Sequence, residues 1–343
     1  MHGHIKVILM NWTRIRCLVT GGAGFIGSHL LNKLVEKKAE VRVVDDLSRG
    51  KMDNLKKCLN QVEFIHEDLE DASVALKCVE DVDFCFHLAA VVGGIEFMKS
   101  YPAKMCKNIR INYNIIEACR RSDVERMLYV SSACVYPIAL QKDASKAPLK
   151  EEDALKYGAD PDGYYGWSKL LGEIQCRAYH EEYGMNIAVV RPFNPYGPNE
   201  SFDPKDSHVI PALIRKAAHK ETPFVIWGSG KQERAFTYVS DLVEGMLLAI
   251  EKSVSASPIN LGTDEVISIK DLAELILKLT DHDVPINYDR PKPVGVISRK
   301  ADISEAKRIL GWRQKIDLET GLKKTINWYL KQQSVRRSKK KRR

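Results

Sequence analysis

Ser132 and Cys134 place a hydroxyl and a thiol two residues apart, directly after the apolar run 127–130 (Met-Leu-Tyr-Val). That run reads as a buried strand, so both side chains stand at its open end, where a parallel sheet delivers groups to a ligand crevice. Tyr165 and Lys169 are four residues apart in Tyr-Gly-Trp-Ser-Lys and therefore share one face of a helix. A cation beside a phenol lowers its pKa and lets it exchange a proton with an alcohol carbon undergoing redox change. Of the eight cysteines (17, 58, 78, 85, 106, 119, 134 and 176), Cys134 alone has a context that points to chemistry. The others, with no CxxC pair and no metal-ligand spacing, read as reduced thiols in a reducing compartment.

The redox partner is legible upstream. Thr-Gly-Gly-Ala-Gly-Phe-Ile-Gly, residues 20–27, lies between a strand pattern and a helix pattern. Glycines there allow a tight turn, and the helix N-terminus offers free N–H groups to a pyrophosphate, so Gly21, Gly24, Phe25, Ile26 and Gly27 form a dinucleotide fingerprint. The next strand ends in Asp45 and Asp46, where a carboxylate binds a ribose 2′-hydroxyl and repels a 2′-phosphate; this favours NAD over NADP, with Arg49 as a contrary sign. Asp68 and Leu69 follow the third strand at the adenine position, and Ala89 and Ala90 follow the fourth, where a backbone passes close to the cofactor.

These groups need a scaffold. From Arg16 onward, strand-like runs at 17–20, 41–44, 62–65, 84–87, 127–130 and 187–190 alternate with helical periodicity. Such alternation predicts an α/β fold, a doubly wound parallel sheet with helices on both faces. After Arg191, Pro and Gly punctuation marks a smaller lobe. The predicted organisation is an N-terminal extension at 1–14, a cofactor domain at 15–190 and 236–258, a second lobe at 191–235 and 259–330, and a disordered basic tail at 331–343.

The formal charge is +8, and seven of those charges belong to Arg336, Arg337, Lys339, Lys340, Lys341, Arg342 and Arg343. The remainder is near neutral, which argues against a nucleic-acid partner and for a solvated tail. No apolar run approaches the roughly 20 residues of a membrane span, and the expected location is cytoplasmic.

The order of motifs resembles the extended short-chain dehydrogenase/reductases that act on nucleotide sugars. The likeness runs from about residue 16 to 330 and rests on residues 20–27, His-Leu-Ala-Ala at 87–90, Asn108 with Asn114, Ser-Ser-Ala-Cys-Val-Tyr-Pro at 131–137, Tyr165 with Lys169, Arg-Pro-Phe-Asn-Pro-Tyr-Gly-Pro at 191–198, Arg-Ala-Phe-Thr-Tyr-Val-Ser-Asp at 234–241 and Asn-Leu-Gly at 260–262. The resemblance implies a Rossmann-type sheet with a smaller α/β substrate-binding lobe. It also implies that Ser132 and Tyr165 contact the sugar O4, that Lys169 contacts the nicotinamide ribose, and that Asn108 belongs to the cofactor site. In the family, subunits pair as homodimers through two helices each, here about 103–121 and 165–184.

Residues 91–95, 131–137 and 207–214 are most similar to the branch that epimerises GDP-sugars at C3 and C5, the GDP-mannose 3,5-epimerases and GDP-L-fucose synthases. A C4 ketone acidifies the hydrogens on C3 and C5, and inversion then needs a base on one face and an acid on the other. The resemblance assigns that pair to Cys134 and His208. A packed thiol and a loop histidine are the bland alternatives. The two branch members pull apart here: 3,5-epimerases usually carry lysine at the position of His208, whereas fucose synthases use NADPH, which Asp45 and Asp46 disfavour. For the nucleotide sugar, the resemblance points to Arg234 and Arg299 at the diphosphate or nucleotide hydroxyls, Asn194 at the pyrophosphate or a sugar oxygen, Gly93, Gly94 and Glu96 along the sugar pocket, and Lys216 and Trp227 in the second lobe. UDP-sugar 4-epimerisation, UDP-glucuronate decarboxylation and a noncatalytic NAD sensor or polyanion binder remain alternatives on the same fold.

Overall fold

The computed structural model describes residues 10–341, with side chains through Val335. Seven strands, β1 Arg16–Thr20, β2 Glu40–Val44, β3 Val62–Ile65, β4 Phe84–His87, β5 Arg126–Val130, β6 Ile187–Pro192 and β7 Ser255–Leu261, form one sheet in the order β7-β6-β5-β4-β1-β2-β3. Every pairing in it is parallel. The chain winds outward in both directions from β1 and β4, and a crevice opens at their carboxyl ends where the order reverses.

Both faces are covered, as the apolar strands require. Helices α1 Phe25–Glu36 and α5 Val239–Lys252 pack on one face; α2 Pro102–Arg121 and α3 Gly163–Tyr183 pack on the other. The smaller lobe has its own core, built by α4 Val209–Ala218, the helix Ile269–Leu279, the strand Phe224–Trp227 and the first turns of α6 Leu318–Lys341. In this lobe Glu233–Arg234 lies between Ile267–Ser268 and Ser298–Arg299, and the register sets Arg299 directly beside Arg234.

Three boundaries differ from the sequence reading. Residues 10–14 are no loose extension: Trp12 is buried against Phe84 and Phe86, and its indole N–H donates to Glu251 at 2.9 Å. The rest of that predicted extension, 1–9, lies outside the described residues. The strand β7 runs past the expected boundary at 258 to Leu261, because Pro258 falls at a register shift on an edge strand, where its missing N–H is tolerated. The basic stretch continues α6 to Lys341 where disorder was predicted. Lys, Arg and Gln are strong helix formers. Residues 342–343 lie outside the description.

Candidate active site

The turn from β1 into α1 is shaped by what glycine lacks. A Cβ on Gly27 would sit 2.3 Å from the Gly21 carbonyl oxygen, so only glycine lets the helix start this close to the turn. Gly24 caps α1 with extended backbone and no side-chain acceptor, which leaves the first N–H groups open to the crevice. Asp45 accepts from the Ala23 and Leu47 N–H groups, each at 2.9 Å, and so ties β2 to the glycine turn; burial raises its pKa against those two hydrogen bonds. Asp46 is exposed at the strand end and accepts from Ser48. An ionised carboxylate has about four acceptor sites, so both keep capacity for ribose hydroxyls. Arg49, the residue that argued for a 2′-phosphate, turns away: it pairs with Asp206 at 3.4 Å and donates to the Val92 carbonyl. The turn, the helix terminus and the free acidic edge fit NAD.

These groups border a cavity of about 630 Å³ that continues between the two lobes. All the residues singled out from the sequence line it except two. Asn108 is fully buried in α2, where its amide accepts from the Val91 N–H at 2.7 Å and donates to the Val91 carbonyl at 3.0 Å. It shapes the cavity wall without facing the cavity. Glu96 points to solvent from the helix Ile95–Ser100, because the helical repeat that turns Ile95 inward carries the next residue out.

Ser132 follows β5 and caps the short turn Ala133–Val135, its Oγ accepting from the Cys134 N–H at 3.1 Å. That bond fixes where the thiol emerges. Helix α3 packs tightly on this turn, since a Cβ on Gly166 would meet the Cys134 carbonyl at 2.3 Å. One residue earlier, Tyr165 lies within reach of Ser132. Desolvation of its hydroxyl and the neighbouring Cys134 raise the phenol pKa, while the hydrogen bond from Ser132 and the charge of Arg49 act in the opposite direction. Burial therefore sets the direction, opposite to the depression expected from Lys169. Lys169 is buried, donates to the Val130 carbonyl at 2.7 Å, and sits 5.9 Å from the Tyr165 ring centre. Burial lowers its own pKa to about 8.

Behind Lys169 lies a buried charge pair that no motif announced. Glu173, one helical turn further along α3, takes two hydrogen bonds from Arg191 of β6, at 2.8 and 2.7 Å, and one from Ser131 at 2.5 Å. A buried bidentate pair of this kind locks α3 to the sheet; removing one partner costs about 3–5 kcal/mol. The signal was available in the i, i+4 step from Lys169 to Glu173, but nothing in the sequence named Arg191 as its partner.

The smaller lobe supplies the far wall. His208 caps α4, and its Nδ1 lies 2.6 Å from the Oε1 of Glu200. Asn194, at a φ of 37°, donates to the Ala235 carbonyl at 2.8 Å and thereby anchors the strand that carries Arg234. The Arg234 pKa falls to about 10, through burial and through repulsion from Arg299. Lys216 donates to the Val225 carbonyl at 2.6 Å, and burial lowers its pKa. Trp227 lies beneath the Lys292 ammonium at 5.1 Å. Glu200, which holds His208, and Asp162 and Gln141, which hold Arg299, were missed in the sequence because each acts across more than one element.

The model of the NAD dependent epimerase/dehydratase family matches residues 17–262. The chain belongs to that family. Its members with similar sequences include GDP-mannose 3,5-epimerase 1 of Oryza sativa subsp. indica, 36% identical over 93% of this chain and 82% of the relative. GDP-L-fucose synthase of Escherichia coli K12 is 31% identical over 93% of this chain and 97% of its own. Among solved structures, a UDP-glucose 4-epimerase from Thermotoga maritima, determined with UDP-glucose, superposes with a TM-score of 0.85 at 30% identity, covering 92% of this chain and 99% of that one. This epimerase/dehydratase is thus an NAD-dependent enzyme of the nucleotide-sugar class, on the Rossmann-type fold expected. Among the described residues no helix is long and apolar enough to cross a membrane.

Proposed function

We propose that the protein is an NAD-dependent epimerase of a nucleoside-diphosphate sugar, a GDP-hexose inverted at C3, C5 or both. The observation that carries this reading is one cavity lined at once by Ser132, Tyr165, Lys169, Cys134 and His208. The first three are what reversible redox at C4 requires, and that chemistry is common to the family. A thiol and an imidazole beside the same carbon skeleton are what inversion of its neighbours requires.

The glycine turn and the Asp45–Asp46 edge would hold NAD, which would supply a reversible hydride acceptor for C4. Tyr165 takes the O4 proton, with Ser132 orienting the oxygen and Lys169 near the phenol and the nicotinamide ribose. With C4 a ketone, Cys134 Sγ removes a proton from the adjacent carbon, and the C–H electron pair enters the enolate. His208 delivers a proton from the opposite face. Tyr165 then returns its proton to O4 when the C4 redox step reverses. Arg234, Asn194, Lys216 and Trp227 hold the nucleotide diphosphate end, with Gly93 and Gly94 along the sugar.

His208 favours a fucose-synthase-like course, with net reduction by NADPH; the acidic edge and the engagement of Arg49 with Asp206 favour internal cycling on retained NAD, and we adopt the latter. A homodimer is supported by α2 and α3, which pack along one another and expose Tyr113, Trp167, Ile174 and Tyr183. Eight free thiols support a cytoplasmic location.

The decisive experiment is mass analysis of nucleotide released from the denatured protein, followed by incubation with GDP-mannose in heavy water. Deuterium at C3 or C5 supports the reading. Inversion at C4 of a UDP-sugar without label would replace it with 4-epimerisation.

A further inference from the structure

Behind the cavity, His87, Asn112 and Tyr129 join the glycine turn to the helix that carries Lys169. None of the three lines the cavity, and each is at most 1% exposed. The parallel register of β4 and β5 sets His87 beside Tyr129, with ring centres 5.9 Å apart, and α2 places Asn112 against both.

The direction of the chain is fixed at its first member. Thr20, the residue before Gly21, accepts the Leu88 and Ala89 N–H groups through its hydroxyl, so the hydroxyl hydrogen goes to His87 Nδ1 at 2.8 Å. The ring hydrogen is then on Nε2 and goes to Asn112 Oδ1 at 3.0 Å. That leaves Asn112 Nδ2 to donate to the Tyr129 hydroxyl at 3.2 Å and to the Ser168 carbonyl at 3.3 Å. Tyr129 donates in turn to the Lys169 carbonyl at 3.2 Å, and burial, by raising the phenol pKa, keeps that hydrogen in place. Bonds aligned donor to acceptor in a dry interior polarise one another, and losing one member leaves its neighbours unsatisfied.

Lys169 is thus held at both ends by one side chain. Its ammonium lies 5.1 Å from the Tyr129 ring centre, closer than the 5.9 Å to Tyr165, and donates to the neutral Val130 carbonyl. Glu173, one turn further on, is already paired with Arg191, so the aromatic face does for this buried cation part of what a carboxylate would. The fit is close: a Cβ on Gly172 would meet the Tyr129 hydroxyl at 2.2 Å and Asn112 Nδ2 at 2.7 Å. We propose that Tyr129 is a positioning residue for Lys169: its ring underlies the ammonium, its hydroxyl holds the backbone carbonyl, and His87 and Asn112 keep both in register with the glycine turn. That Lys169 so placed serves the C4 redox step rests on the proposed function; the arrangement itself does not.

The test uses the full chain loaded with NAD and labelled with carbon-13 at lysine Cε. The Lys169 signal, identified by its loss in Lys169→Met, should lie upfield of the exposed lysines because of the ring beneath it. It should stay there in Tyr129→Phe, move part of the way back in Asn112→Ala, and join the exposed lysines in Tyr129→Leu. Deuterium labelling of saturating GDP-mannose, counted per NAD-loaded molecule, should slow about tenfold in Tyr129→Phe and Asn112→Ala and about a hundredfold in Tyr129→Leu, with KM and retained NAD within about threefold of wild type. A merely structural role would lower the urea midpoint and leave turnover per loaded molecule unchanged. That result in folded Tyr129→Phe and Asn112→Ala would overturn the proposal, as would a Lys169 signal unmoved in Asn112→Ala and in Tyr129→Leu. If Tyr129→Leu does not fold, the two milder variants decide. Failure of the wild type to label any nucleotide sugar would sink the epimerase reading instead, and the lysine signal in Asn112→Ala would still decide the role of Tyr129.

Discussion

His208 Nδ1 stands 2.6 Å from Glu200 Oε1, and the carboxylate side chain is 3% exposed while the imidazole is 47% exposed. An ionised carboxylate can only accept, so Nδ1 carries the hydrogen and Nε2 is the nitrogen left to exchange protons. The buried partner thus fixes the tautomer of the cavity-facing ring. Glu200→Gln, whose amide can donate to Nδ1 and select the wrong tautomer, should lower deuterium incorporation at the inverted carbon by about a hundredfold. Retained NAD, measured after gel filtration, should match the wild type.

Arg49 joins the cofactor edge to the segment that leads into His208. Its bonds to Asp206 and Val92 close over the space between β2 and the smaller lobe, and the Gly94 N–H donates to the same Asp206 through its carbonyl at 2.9 Å. Arg49→Ala should speed NAD release by about tenfold, the equivalent of roughly 1.4 kcal/mol, while global stability falls by less than about 1 kcal/mol. Stopped-flow displacement of bound NAD and urea unfolding measure the two quantities.

Lys169 is destabilising for the fold. Burial takes its pKa from 10.5 to about 8, so between those values the unfolded chain binds the proton that the folded chain has released, and stability rises with pH across that window. At neutral pH the penalty is about 3 kcal/mol, offset by about 1 from the bond to Val130. Lys169→Met should therefore be more stable than wild type by about 2 kcal/mol at pH 7 and nearly inactive, and its advantage should shrink as pH climbs from 8 towards 10.5. Denaturant titrations at a series of pH values follow this directly.

His87 gives the opposite limb. The Thr20 hydroxyl accepts from the Leu88 and Ala89 N–H groups at 3.1 and 3.0 Å, so its own hydrogen goes to His87 Nδ1 at 2.8 Å, and His87 Nε2 donates to Asn112 at 3.0 Å. Only the neutral ring fits that pattern. Burial, reinforced by Lys169, lowers its pKa from 6.5 to about 3, so stability is complete above 6.5 and declines as pH falls towards 3, by about 5 kcal/mol at most. His87→Gln should be less stable at pH 7 by about 1–2 kcal/mol, with a flatter acid limb over the same interval.

Much of the architecture is local and therefore legible in sequence. Apolar runs such as Met-Leu-Tyr-Val at 127–130 can only be buried strands when helices alternate with them, and the glycine turn before Phe25 announces its helix and its anion. The boundaries were less legible. Pro258 imitates a break that an edge strand absorbs, and a basic tail rich in helix formers reads as solvated until its helix has a packed first half to grow from.

The site divides along the same line. Ser132, Cys134, Tyr165 and Lys169 were determined by sequence, because strand ends and the helical repeat place them within one or two elements. Tertiary structure alone decided that Asn108 braces Val91 behind the cavity, that Arg49 turns to Asp206, and that Arg299 faces Cys134 across 165 residues of chain. Those relationships depend on how two lobes and their paired strands are brought together, and spacing along one chain carries no record of which buried carboxylate or sulfur a guanidinium will meet.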